Sequence, residues 1–261
     1  TAGSDAFELP VFNDFFNNQQ GLGGYAGLGL TGLMNNGDTG PNWLDWIDEK
    51  DDGPNPDDVT GGAPGIMTSH MGSGTAAGST NTQTKGYQYG VQVDNTTGTF
   101  TVIGGMKDFN EPLGIYQNPG VVNPELGLFI GDGTQSNYIK FVVTQTGFLA
   151  VQENNDIADT PITNTVVGTP SSGILFYFVI NPVTGQVDLE YKIDNQVRTA
   201  LGTIFATGAI LNALQSNSAD LAVGLIGTSG AVGVEVEGTW DFLNVLADEP
   251  ILTEELPDIN R

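Results

Sequence analysis

Hydrophobic and polar positions alternate with a period of two over much of the chain, the signature of strands with one buried face. In Tyr138–Thr144, Ile139, Phe141 and Val143 fall on one side; Tyr138, Lys140, Val142 and Thr144 fall on the other. This run sits between apolar Leu128–Ile130 and the returning Phe148–Gln152. Gly131-Asp132-Gly133 and Thr146-Gly147 separate the three. Glycine accepts positive φ and aspartate bonds its own backbone, so both are turn signals. Gly127–Glu153 therefore predicts an antiparallel meander with one buried face and one face free to meet a ligand.

The same period recurs elsewhere. Tyr87, Tyr89, Val91 and Val93 alternate with Gln88, Gly90 and Gln92; Asn95–Gly98 turns the chain into Thr99–Met106. Val187, Leu189, Tyr191 and Ile193 point inward against Asp188, Glu190 and Lys192. Ile174–Ile180 is apolar on both sides, as in a central strand covered on both faces. Val197–Leu201, Leu221–Ile226 and Val232–Val245 complete the strands, with Gly238 marking a bulge in the last. Gly208–Gln215 is the single convincing helix. Short strands with turns roughly every ten residues define an all-β, two-sheet antiparallel sandwich with one short helix.

The remainder is less regular. Ala6–Phe16 is apolar, and Leu9-Pro10 places it at an edge or a strand start. Gln19–Met34 is glycine-rich, and Gly72–Gly86 reads as a long loop or weak strand. Asn42–Asp58 is the most acidic segment, and Pro54 and Pro56 stop a helix from running through its end. Residues 1–246 are expected to form one sandwich domain, with residues 1–40 an N-terminal strand and glycine-rich extension. Residues 247–261 form an acidic tail or linker.

Charge narrows the partners. The 261 residues carry 31 acids and 7 bases, a net charge of −24. Such a surface repels phosphate backbones, which argues against nucleic acid and anionic lipid as partners. There is no cysteine, hence no disulfide and no thiolate metal site. No apolar run approaches the ~20 residues of a membrane-spanning helix. The chain begins at Thr1 without an initiator methionine, compatible with a processed, secreted protein or an excised piece.

Several stretches in order suggest a family: Asn42–Trp46 with its following acids, Gly74–Val91, Leu126–Val143, Leu189–Asp194, Leu221–Ser229 and Gly238–Val245. Together they resemble the concanavalin A-like (laminin G/lectin-like) jelly-roll modules of secreted bacterial surface or adhesin proteins, over roughly residues 40–246. The resemblance implies two curved sheets, a concave face that commonly binds carbohydrate, and often a structural calcium.

Candidate chemistry follows from residue type. Calcium wants six to eight oxygens from a flexible loop. Asp45, Asp48, Asp51, Asp52, Asp57 and Asp58 stand in one loop-prone segment with only Lys50 opposing them. The resemblance adds Asp14 and Asp241, near the first and last strands. Sugars are held by aromatic faces and by amides or carboxylates reading hydroxyls. Trp43, Trp46, Tyr116 and Tyr138, with Asp132, Gln135 and Asn137, are the candidates, against the alternative that such aromatics are core anchors. Glycosidases need two carboxylates about 5–9 Å apart. The Glu-x-Asp-x-(x)-Glu strand pattern of laminarinase-like enzymes is missing, and Asp188/Glu190 and Glu235/Glu237 read as solvated strand faces. His70 is the sole histidine, which argues against a zinc site or a triad.

These readings lead to an extracellular, non-enzymatic recognition module that binds a glycan or other cell-surface ligand, with calcium as its staple. Second stands a structural subunit of a fibre or surface layer, self-associating through strands at either end. A glycoside hydrolase of the same fold ranks third.

Overall fold

The computed structural model describes residues 6–15, 28–34, 59–60, 65–83, 85–166, 169–216 and 218–247. In chain order its strands begin with β1 (Gly32–Leu33), β2 (Val59–Thr60), β3 (Met67–Met71), β4 (Tyr87–Val91) and β5 (Phe100–Lys107). The meander follows as β6 (Glu125–Gly131), β7 (Asn137–Val143) and β8 (Gly147–Asn154), then the short β9 (Ile157–Ala158) and β10 (Ile162–Thr165). β11 (Ile174–Asn181), β12 (Gln186–Ile193) and β13 (Thr199–Phe205) precede the helix α1 (Gly208–Gln215). β14 (Leu221–Thr228) and β15 (Val236–Ala247) close the order.

The strands form two antiparallel sheets. The first runs β1-β4-β14-β6-β7-β8-β10, with β9 also on β8; the second runs β13-β12-β11-β5-β15-β3-β2. The predicted two-sheet sandwich with one helix is the observed architecture. Period-two patterning explains why. Leu126, Leu128 and Ile130 of β6 and Ile139, Phe141 and Val143 of β7 all face the layer between the sheets. Phe141 lies near its centre, 5.1 Å from the Phe176 ring and 5.9 Å from Phe178 across the sandwich. Burying rings of this size is what holds two sheets together, at ~3–5 kcal/mol for a Phe truncated to Ala. The Tyr89 hydroxyl crosses the same layer to the Leu243 carbonyl at 2.8 Å. α1 closes one end by inserting Ile210, Ala213 and Leu214 into the core.

Three expectations are corrected. The irregularity in β15 lies between Trp240 and Phe242, not at Gly238. Gly238 is a packing position: a Cβ there would lie 2.5 Å from the Trp240 ring. The meander's second face is also not free. Every residue of β7 is buried, because the segment 72–83 lies across the outer face of the first sheet as a strap. Finally, the sequence did not predict β9 and β10, two short edge strands that extend the first sheet past β8.

Candidate functional site

The outer face of the first sheet carries a group of polar side chains beneath the strap. Tyr138 on β7 sits directly opposite Glu153 on β8. Lys140 sits opposite Phe129 on β6. Ala76 of the strap packs with Phe129, Tyr138 and Val142. The strap is pinned at its far end by Gln83, whose N–H donates to Gln135 Oε1 at 2.9 Å. Gln135 Nε2 donates back to the Gln83 carbonyl at 2.6 Å. Asn81 Nδ2 donates to Ser136 Oγ at 3.2 Å and to the Asp156 carboxylate.

Under this cover the Tyr138 hydroxyl donates to Glu153 Oε2 at 3.0 Å, and both residues are fully buried. Glu153 Oε1 has no hydrogen-bond partner. Burial raises the Glu153 carboxyl above its ordinary range, and the nearby Asp156 charge adds to the rise. The Tyr138 hydroxyl, the Gly78 amide and Lys140 pull the other way without reversing it. Burial, then the Glu153 charge, pushes the Tyr138 phenol up as well. The Lys140 ammonium is ion-paired with Glu125.

Asp156 completes the arrangement. It lies at the tip of the β8–β9 hairpin, where Asn155 and Asp156 have φ of 49° and 64°. Two successive left-handed residues make a tight two-residue turn, and Asn and Asp tolerate it best among non-glycine residues. Asp156 is half-buried where Glu153 is fully buried. One hairpin thus carries a buried carboxyl whose pKa is raised and, three residues on, a second, half-buried acid. Unequal burial is one way in which two carboxyls close in sequence come to differ in role. The sequence reading missed this pair. Its one signal was register: Glu153 falls opposite Tyr138 on the face turned away from the core.

The residues named from the sequence are placed as follows. Asp132 Oδ1 accepts from the Thr134 N–H at 2.9 Å and the Thr134 hydroxyl at 2.6 Å, and its Oδ2 accepts from Asn137 Nδ2 at 2.9 Å. Asn137 Oδ1 accepts from the Asn155 N–H. Asp132, Gln135 and Asn137 thus brace the turns around the strap, and Tyr138 lies beneath it. Tyr116 is apart from them, packed edge-on against Phe109. Asp241 faces Lys107 at 3.5 Å, and Asp14 is half-buried on the N-terminal segment. Trp43, Trp46, Asp45, Asp48, Asp51, Asp52, Asp57 and Asp58 lie outside the described residues. Among the described residues no three His, Asp or Glu side chains come together to hold a metal, and no helix is long and apolar enough to cross a membrane. His70 Nε2 lies 3.2 Å from Glu237.

A separate cleft of about 340 Å³ opens between the β4–β5 connection and the start of β14, lined by Glu8, Gln92, Asp94, Thr97 and Asp220 among others. Hydrogen bonds from the Thr96 hydroxyl and N–H hold the Asp94 carboxyl below its ordinary range. No aromatic ring lines this cleft.

Solved structures share this sandwich fold. A Bacteroides ovatus protein described as xyloglucan PUL GH43B superposes with a TM-score of 0.51 at 16% identity, over 70% of this chain and 33% of its own. A xylan β-1,4-xylosidase from Bacillus halodurans gives 0.51 at 12% identity, again over 70% of this chain and 33% of that one. A functionally unknown protein from Saccharomyces cerevisiae gives 0.51 at 13% identity, over 75% of this chain and 95% of that one. The chain therefore spans about a third of the length of the first two. No protein-family model matches the sequence, and no curated protein matches it. At these identities the likeness establishes the fold, a two-sheet sandwich of the kind found within glycoside hydrolases. Against the reading of a non-catalytic, non-enzymatic module stands the finding that structures sharing the fold include a xylan β-1,4-xylosidase and a protein described as GH43B.

Proposed function

We propose that this chain is the sandwich portion of a glycoside hydrolase-type protein acting on a neutral polysaccharide of the xylan or xyloglucan kind. The observation that carries the reading is the Glu153–Asp156 pair on a fold shared with such enzymes. Glu153 gives its proton to the glycosidic oxygen as the C1–O bond breaks. Asp156 takes a proton from the water that attacks C1. The Tyr138 hydroxyl donates to Glu153 Oε2 and holds the carboxyl in place. The turn Gly78–Thr80 of the strap covers Glu153, so access of sugar requires that turn to move.

The test is release of reducing sugar from xylan and xyloglucan by the purified chain. Glu153→Gln and Asp156→Asn are each expected to lower the rate ~100-fold or more, with circular dichroism unchanged. A folded chain that cleaves neither polymer refutes the proposal, as do variants that keep the wild-type rate.

An extracellular location suits a polymeric substrate. Calcium remains our proposal for the carboxylates of Asp45, Asp48, Asp51 and Asp52, which the chain offers in a single acidic segment. A metal that binds only the folded chain must raise its melting temperature. Equal melting in calcium and in chelator removes the metal from this account.

A further inference from the structure

We infer that a second glycan-binding surface runs along the outer face of β12 and β13, apart from Glu153. Only the class of ligand rests on the function proposed above; the surface itself is read from register and exposure. β13 is the open edge of the second sheet and pairs with β12 alone. Val187 and Leu189 are fully buried in the core, so Gln186, Asp188 and Glu190 face out. Register places Phe205 beside Gln186 and Thr203 beside Asp188.

Phe205 is 58% exposed, while its neighbours Ile204 and Ala206 pack inward. A ring this open at a sheet edge stabilises the fold little and leaves an apolar face in water. The polar groups beside it are already ordered. Asp188 Oδ2 accepts from Gln186 Nε2 at 2.9 Å, and its Oδ1 accepts from the Thr203 hydroxyl. Each carboxylate oxygen keeps a further lone pair for a hydroxyl donor. Farther along the strip, the Arg198 guanidinium lies 4.0 Å over the Tyr177 ring and is ion-paired with Glu190. Fixed planar acceptors next to an exposed ring match a pyranose, whose C–H face stacks on the ring while its hydroxyls bond at the side.

Charge decides which glycan. Within the strip Asp188 and Glu190 are offset by Lys192 and Arg198, so the local charge favours no polyanion, and the chain as a whole carries −24, which repels a uronic acid polymer. The surface is also too polar for a protein partner, whose buried interface centre would be depleted of charge. The occupant is a neutral glycan chain.

The test uses the full chain carrying Glu153→Gln, so that bound polymer is not turned over. Affinity electrophoresis is run in gels containing xyloglucan, xylan or polygalacturonate. Retardation is expected in at least one neutral polymer and not in polygalacturonate. Adding Phe205→Ala should weaken it at least tenfold without changing the melting temperature, and Phe205→Trp should restore it. Retardation that survives Phe205→Ala overturns the inference, as does retardation by polygalacturonate alone or by none of the three. The two proposals separate cleanly. Phe205-dependent binding by a chain that never hydrolyses sinks the Glu153 reading and keeps this one; hydrolysis with Phe205-independent binding does the reverse.

Discussion

Replacing Tyr138 with phenylalanine isolates the contact on which the candidate site depends. The substitution keeps the ring that packs with Phe129 and Val142 and deletes only the hydroxyl, which lies 3.0 Å from Glu153 Oε2. Both residues are fully buried, so no bulk water replaces the lost donor. Leaving a buried acceptor unmatched costs about 1–3 kcal/mol. In a protein of this size each kcal/mol moves the melting temperature by about 2–4 °C, so a loss of about 2 kcal/mol means about 4–8 °C. The cost also depends on pH. Burial raises the folded-state Glu153 carboxyl, so this group's stability contribution is complete below the unfolded glutamate value of ~4.3. It is lost as pH rises through the raised folded-state value. The Tyr138 hydroxyl opposes that rise, and its bond to a charged carboxylate is stronger than its bond to a neutral acid. Tyr138→Phe should therefore cost more at pH 8 than at pH 4, and Glu153→Gln should flatten the slope between them. Thermal unfolding followed by circular dichroism across this range, for both single variants and the double, gives the coupling directly, expected at about 1 kcal/mol. Identical pH profiles for wild type and Glu153→Gln would refute the reasoning, as would a Tyr138→Phe variant as stable as wild type at pH 8.

Two further outcomes test other parts of the fold. Burial by itself would raise the Asp194 carboxyl, but the N–H groups of Ser171, Ser172 and Gly173 and the Ser171 hydroxyl outweigh it and hold it at about 2. Its stabilisation is therefore present above ~3.9 and lost as pH falls towards about 2. Asp194→Ala should cost about 1–2 kcal/mol at pH 7 after allowing for solvent screening, and almost nothing in strong acid; an unchanged acid-unfolding midpoint would count against this. Gly224, at the centre of the first sheet, has no room for a methyl group, since a Cβ would run into the Tyr87 carbonyl and the Phe129 ring. Gly224→Ala is expected to destabilise by about 3 kcal/mol, and a melting temperature within a degree or two of wild type would show that the sheet gives way there.

The legible parts of the sequence were those fixed by local period. Val187 and Leu189 declared their inward face, and α1 fell on Gly208–Gln215 as its pattern predicts. What was hidden depends on distant partners. The strap 72–83 is small and polar with no period of its own, yet through Ala76 and Gln83 it turns the meander's outer face into a second interior. Gly238 signalled a bulge because glycine in a strand allows one; the cause of its place is the Trp240 ring two residues on. Asp132 and Asn137 were legible as polar turn residues, but their bonds run to one another and to the next hairpin. The non-enzymatic reading leaned on the missing carboxylate spacing along one strand. Glu153 and Asp156 lie across a hairpin, and burial sets their difference, which no spacing rule records.

The scarcity of bases bears on ligand choice beyond net charge. Among the described residues, Lys107 lies against Asp241, Lys140 against Glu125 and Arg198 against Glu190, while the Lys85 ammonium donates to the His70 carbonyl. These four cations are committed to internal bonds that tie strands or loops together; Lys192, on the outer face of β12, is the fifth described base. At any of the four, a polyanionic ligand would have to break such a bond to gain a partner, and would leave the carboxylate or carbonyl behind unmatched. A neutral glycan asks for no cation. Its hydroxyls can donate to carboxylates already fixed in place, as at Asp188, or meet the buried carboxyl of Glu153. The same few basic side chains that stitch the sandwich together thereby bias its surface towards uncharged polysaccharide.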